Sequence, residues 1–215
     1  MPFNEQRTRM VEEQLKARGL RDERVLAAFR NVPRHLFLPP ELRPHAYTDR
    51  ALPIGAEQTI SQPYIVALMV TALRLQGHER VLEVGTGSGY ETAILAELAL
   101  EVFSMERLAE LSQLAKTRLD ELRCLNVHLA VGDGSFGWPE HAPYDAVIVS
   151  AAAPEVPRPL IQQLGEGGRM AIPVGPSHAQ SLLAVEKHGQ AVSRTELTKC
   201  VFIPLIGAHG WPHAT

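Results

Sequence analysis

Residues 80–90 read Arg80-Val81-Leu82-Glu83-Val84-Gly85-Thr86-Gly87-Ser88-Gly89-Tyr90, and the fold follows from how that stretch changes character. Val81–Val84 is a short β-type apolar run, glycines then occupy alternate positions, and Tyr90 to Leu98 carries helical spacing. A buried strand that turns through bare backbone into a helix is the opening unit of a doubly wound α/β sheet. Glycines there let main chain approach a ligand that a Cβ would hold off. The dinucleotide fingerprint wants its third glycine at position six. Counted from Gly85 that position is Tyr90, and Gly89 falls at five. A tight turn with no ligand is the other reading of the same glycines.

Working outward, β-type runs recur at Val102–Met105, Val127–Val131, Ala146–Val149 and Met170–Val174, with helical stretches at Leu108–Leu122 and Pro157–Leu164 between them. This alternation predicts a mostly parallel sheet covered on both faces, wound by right-handed crossovers. Ser181–Val185 and Lys199–Leu205, around His188-Gly189, predict an antiparallel edge. Towards the N-terminus the spacing predicts a helix over Asn4–Arg18 stopped by Gly19, and a second over Asp22–Asn31. Pro33, Pro39, Pro40, Pro44 and Pro53 then make an irregular cap up to Gly55. Thr59-Ile60-Ser61-Gln62-Pro63 leads into an apolar helix from Tyr64 to Leu75, with Ser61 placed as a helix cap. The expectation is one domain over 1–215, with 1–78 as helical cap and substrate-side segment and 79–215 as cofactor-binding core.

Composition narrows the function. Apolar residues are 45% of the chain, charged ones 21%, and the net charge is −3 with no run of Lys or Arg, which argues against nucleic acid as partner. The polar start lacks the apolar core of a signal peptide, and the longest small or apolar run, Ala146 to Pro154, is too short to span a bilayer. No membrane partner and a cytoplasmic location are expected. Cys124 and Cys200 are too few for a disulfide framework or a zinc knuckle and read as buried thiols. His209 and His213 are separated by Gly210 and Pro212, which forbid a ligating helix face, so a surface tail and no metal are expected. Gly87-Ser88-Gly89 lacks the glycine spacing of a nucleophile elbow; Ser88 reads as a helix-opening residue beside the ligand.

Two carboxylates sit at the carboxyl ends of predicted strands, the edge where such sheets bind ligands. Glu106 ends the second strand, about 20 residues beyond the loop, where a carboxylate accepts from both hydroxyls of a ribose. Asp133 ends the third and is placed to accept from an adenine amino group, with Gly134 leaving its N–H facing the ring. A free 2′-hydroxyl on Glu106 argues against a phosphorylated ribose, since two anions there would repel. Solvated strand-end carboxylates are the alternative for each taken singly.

The G-x-G-x-G form after acidic Glu83 resembles the first motif of Rossmann-like S-adenosylmethionine-dependent methyltransferases. Five blocks in order, Thr59-Ile60-Ser61-Gln62-Pro63-Tyr64, Val81 to Tyr90, Pro143 to Val149, Gly167-Gly168-Arg169-Met170 and Val201-Phe202-Ile203-Pro204-Leu205, resemble the protein-L-isoaspartate O-methyltransferase family. The resemblance implies methyl transfer from S-adenosylmethionine, leaving S-adenosylhomocysteine, to the free α-carboxylate of isoaspartyl residues in damaged proteins and peptides. No metal is implied. It makes Ser61 the active-site serine, Thr59 and Ile60 its neighbours along cofactor and substrate, and the strand around Val201 a docking edge for substrate. Glu83, Gly85, Thr86, Gly87, Ser88, Gly89, Glu106, Asp133 and Gly134 become cofactor contacts. Glu91 stands where a neutral residue such as Gln is common, and Cys200 where a larger or charged one often sits. Ser150-Ala151-Ala152-Ala153-Pro154 lacks the Asn-Pro-Pro-aromatic cluster of amine methylation. An O-methyltransferase of another small carboxylate or hydroxyl, and a non-catalytic adenosyl-ligand binding protein, are the rival readings.

Overall fold

The structure, a computed structural model, describes residues 1–212. The chain opens with α1 (Phe3–Met10), widens into a π-helical turn at Val11–Leu15, tightens at Lys16–Arg18, and stops at Gly19, whose φ is 97°. The predicted single helix is thus interrupted, because the wider turn lets consecutive Met10 and Val11 both reach the core together with Leu15. In α2 (Glu23–Asn31) the Asp22 carboxylate caps the start, accepting from the N–H groups of Arg24 and Val25 at 3.0 and 3.3 Å.

The proline-rich stretch passes through 3-10 turns at Arg34–Phe37 and Pro40–His45, then closes into an antiparallel hairpin that the sequence reading omits. Its strands are β1 (Leu52–Gly55) and β2 (Gln58–Ile60), joined through Ala56 and Glu57, both at positive φ. That geometry ordinarily selects Asn-Gly, so no turn signal marked it. The hairpin delivers Thr59 and Ile60 to Ser61. Helix α3 (Pro63–Leu73) has Gln62 at its N-cap position and no side-chain cap. Ser61 lies outside that helix and its cap, so the capping role is withdrawn.

The regular part follows as β3 (Arg80–Val84), α4 (Tyr90–Ala96), β4 (Glu101–Glu106), α5 (Ala109–Glu121), β5 (Val127–Val131), β6 (Tyr144–Val149), α6 (Arg158–Gln163), β7 (Leu164–Val174), β8 (Gln180–His188) and β9 (Ala191–Cys200). The last seven strands form one sheet in the order β5-β4-β3-β6-β7-β8-β9, parallel through β7 and antiparallel at the β8–β9 edge. The edge partner of β8 is not Lys199–Leu205: pairing starts at once after the turn, His188 against Ala191, so β9 is spent by Cys200 and Val201 leaves the ladder.

Alternate residues of the strands bury on opposite faces. Val81, Val102, Ala146 and Ile148 pack with α3, α4, α5 and the N-terminal cap. Leu82, Val84, Phe103, Val147 and Val149 pack on the other face with Leu160 of α6 and Leu205. The winding reverses between β3 and β6, where Ser150 N–H donates to the Val84 carbonyl at 2.8 Å, and this opens a crevice at their carboxyl ends.

Phe29 of α2 is fully buried, with its ring edge-on to Tyr90 at a centroid separation of 6.1 Å. Phe29→Ala should lose about 3–5 kcal/mol and lower the melting temperature by roughly 6–15 °C. A calorimetric loss below about 1 kcal/mol would show that the cap does not pack on the sheet core.

Candidate functional site

The glycine loop is strung across the end of the sheet by its own backbone. Gly85 N–H donates to the Met105 carbonyl at 2.8 Å, Gly87 N–H to Glu106 Oε2 at 2.9 Å and Gly89 N–H to the Thr86 carbonyl at 2.9 Å. Gly89 is required twice over: its φ is 88°, and a Cβ there would lie 3.1 Å from that of Ala115. Beneath the loop, Thr86 Oγ1 lies 2.6 Å from Ser104 Oγ, Ser104 donates to Glu83 Oε2 at 2.5 Å, and Thr92 donates to the same oxygen at 2.6 Å.

Glu83 is therefore an anchor under the loop, fully buried and outside the cavity lining, and not a residue that faces a ligand. Burial, with the neighbouring Glu91 charge, pushes its carboxyl well above the usual range. Glu106, 7% exposed, lines the cavity and accepts at both oxygens, from Gly87 and from Leu108 N–H at 2.9 Å each. Each oxygen keeps a lone pair for a ligand hydroxyl.

That cavity has a volume of about 360 Å³, within the range of small-ligand sites. Gly85, Thr86, Gly87, Ser88, Glu106 and Gly134 line it, together with Thr59, Ile60 and Ser61. Gly89 stands behind the lining as the N-cap of α4, and Ser88 Oγ accepts from Tyr90 N–H at 3.3 Å. Asp133 does not line it. Its Oδ1 accepts from Ser135 N–H and Oγ–H at 2.9 and 2.6 Å and its Oδ2 from Ala208 N–H at 2.8 Å. Although burial opposes it, these hydrogen bonds hold the Asp133 carboxyl below its ordinary value. The segment around His209, predicted as a surface tail, folds back to make this contact, His209 N–H donating to Ser135 Oγ at 3.0 Å. His213 lies outside the described residues.

A second cavity of about 400 Å³ adjoins the first and shares Thr59, Ser61, Ser150 and Ile203 with it. Ser61 Oγ has no hydrogen-bond partner among the described residues. Val201, 72% exposed, lines this second cavity from beyond the end of β9, with Lys199 and Phe202. Cys200, half-buried like Cys124, is not a nucleophile: burial pushes its thiol up to about 11. No group of three potential metal ligands occurs among the described residues.

Three contributors escaped the sequence reading. Ile203–Ile206 return across the crevice through the Pro204 bridge to Ala152 and line the first cavity. Glu57 and Gln58 reach it from the hairpin. Ser150, at the carboxyl end of β6, was findable from the rule that ligands bind beside the switch point. Its Oγ–H donates to Glu91 Oε1 at 2.6 Å, and burial raises the Glu91 carboxyl to about 7.

The family model for protein-L-isoaspartate(D-aspartate) O-methyltransferase matches residues 5–210. A protein-L-isoaspartate O-methyltransferase of Methanoculleus marisnigri is 52% identical over 98% of this chain and 96% of its own length. One of Syntrophus aciditrophicus is 51% identical over 97% of each. A solved protein-L-isoaspartate O-methyltransferase superposes with a TM-score of 0.85 at 31% identity, covering 95% of this chain and 67% of its own. A Plasmodium falciparum structure of the same description, in complex with S-adenosyl-L-homocysteine, shares the fold with a TM-score of 0.81 at 24% identity, covering 93% and 98%.

A carboxyl whose pKa rises on folding stabilises the protein fully below its ordinary value of about 4.5, and that contribution is lost as pH climbs through the raised one. The ligand-free protein should therefore melt progressively lower from pH 5 to 8. Glu91→Gln, which keeps an oxygen for Ser150, should raise the melting temperature by about 3–8 °C at pH 8 and by little at pH 5. Parallel melting curves for the two proteins across that range would refute the assignment.

Proposed function

The chain belongs to the protein-L-isoaspartate(D-aspartate) O-methyltransferase family, and from that premise we propose how its own residues carry the reaction. The enzyme transfers a methyl group from S-adenosylmethionine to the free α-carboxylate of L-isoaspartyl residues, a protein-repair activity. The methyl ester that results recyclises and gives the chain another chance to reopen as normal aspartate.

The observation that carries the assignment of roles is the meeting of the two cavities at Ser61 and Ser150. The first fits an adenosyl cofactor: bare glycine backbone, Glu106 for a ribose, and Gly134, where a Cβ would come within 2.5 Å of Val84 Cγ1. The cofactor supplies an electrophilic sulfonium methyl when bound. Asp133 completes the adenine end if the His209 segment yields its hydrogen bond. The second cavity takes the isoaspartyl segment along Thr59, Ser61 and Val201, with Ile60 beside it in the wall of the first.

A carboxylate with pKa near about 3.3–3.9 is ionised at neutral pH, so attack needs no general base. This agrees with a lining that contains no histidine. Ser61 donates a hydrogen bond that holds the carboxylate in line, where positioning supplies most of the gain. The hairpin and the Ile203–Ile206 segment exclude water from both charged reactants. Residues 1–78 act as cap and substrate side, and 79–215 as the cofactor core, of one domain. A single buried cluster that joins Leu26, Phe29 and Val70 to Val81 and Val102 supports this. No helix among the described residues is long and apolar enough to cross a membrane, and we place the enzyme in the cytoplasm with isoaspartyl proteins and peptides as its partners.

An isoaspartyl peptide should be methylated and its normal aspartyl twin should not; equal or absent labelling of the pair defeats the substrate assignment. Ser61→Ala should lower kcat by about 10- to 100-fold while the cofactor dissociation constant changes less than about twofold. Unchanged turnover would remove Ser61 from the mechanism.

A further inference from the structure

Three carboxylates surround the glycine loop. Glu83, Glu91 and Glu106 are 0%, 7% and 7% exposed, and no Lys, Arg or His among the described residues forms an ion pair with any of them. Arg107, exposed on the rim of the cavity, pairs with none. Buried charge without a partner is expensive, so such a carboxyl drifts towards its neutral form unless a cation comes to it from outside.

The three differ in what they have left to offer. Glu83 lies under the loop, and Glu106 is engaged at both oxygens by backbone. Glu91 lines the cavity, spends Oε1 on Ser150 and has no partner at Oε2. Ser150 belongs to both cavities, so the Glu91–Ser150 pair sits in the wall where they join.

We propose that Glu91 is the counter-ion for the cationic methionine end of the cofactor and sets the preference of the site for S-adenosylmethionine over S-adenosylhomocysteine. The inference rests on the cofactor reading above. The donor carries a sulfonium and an ammonium, whereas the product keeps only the ammonium. An anion in the wall therefore holds the donor more tightly and loosens its grip once the methyl has left. The positive charge is already declining in the transition state, so the carboxylate acts on binding and product release more than on the chemical step. It is a selectivity residue. A glutamine here would accept the same Ser150 hydrogen bond and offer no charge.

The preference is then switchable by pH. The ionisable groups around Glu91 are Glu83 from β3, Glu106 from β4, Tyr90 beside it, and Glu57 from the hairpin and Arg107 at the rim. Burial acts against ionisation and the Ser150 hydrogen bond acts for it, so the charged fraction of Glu91 grows through neutrality.

The test is calorimetric titration of each cofactor form, without methyl acceptor, into the wild-type protein and Glu91→Gln at pH 6 and pH 8. For wild type the ratio of donor to product affinity should exceed that of Glu91→Gln by about tenfold at pH 8 and nearly coincide with it at pH 6. The cofactor amine titrates alike for both proteins and cancels in the comparison. At pH 7, in two buffers of different ionisation heat, donor binding should release about half a proton more from wild type than from the variant. Ser150→Ala removes the one hydrogen bond that favours the charged form, and should move the wild-type transition to higher pH even where Glu91→Gln folds poorly. Equal ratios and proton counts in wild type and Glu91→Gln, or an unmoved transition in Ser150→Ala, would overturn the proposal while leaving the cofactor reading intact. Failure of wild type to bind either form would overturn both.

Discussion

Everything at the site depends on a buried hydrogen-bonded chain that ends on one carboxylate. Thr86 reaches Ser104, and Ser104 and Thr92 both reach Glu83 Oε2, so the glycine loop, β4 and α4 are tied to β3. The glycines remove side chains and leave a loop with many conformations, and this chain selects one of them. The selection is made in a dry core, where such hydrogen bonds are strong and an unpaired member would be destabilising. It also explains why an acidic residue one position before the end of β3 stands outside the cavity lining: it holds the floor on which the loop lies.

The same low-dielectric surroundings decide the charge of the site. Glu83 is pushed towards the neutral acid, which lets it remain buried beneath a loop already supplied with carboxylates. Glu106 accepts from two backbone N–H groups, one at each oxygen. Glu91 has a single hydroxyl donor and is balanced near neutrality. Glu83 and Glu91 are both raised by burial, and Glu83 further by the charge of Glu91, against the hydroxyl donors that pull each back.

The β-α alternation, the antiparallel edge and the glycine turn could be read from the chain because each rests on local patterning: alternating burial, apolar runs and bare backbone before a helix. What could not be read rests on contacts between distant segments. Met10 and Val11 both point inward only because a core exists for both, which makes the π turn. The β1–β2 hairpin turns at Ala56-Glu57 without any of the residues that announce such turns. The last strand begins as soon as the turn at His188-Gly189 allows, at Ala191 and not at Lys199 as the run Lys199–Leu205 suggested. Among the site residues, Glu106 and Gly134 follow from strand ends, whereas the engagement of Asp133 by Ala208, 75 positions away, leaves no trace in sequence spacing.

Shape and charge at this site have separable origins. The shape is held by glycines, strand ends and segments that return across the crevice, and it would survive replacement of Glu91 by an amide of the same size. The charge would not. Glu91 sits on the first turn of α4, in the wall that also contains Ser150, so one residue can alter what the cavity prefers to bind without moving any atom of its frame. A resemblance that spans nearly the whole chain therefore specifies the reaction. The balance between donor and product is left to a position at which this sequence departs from the pattern it otherwise follows.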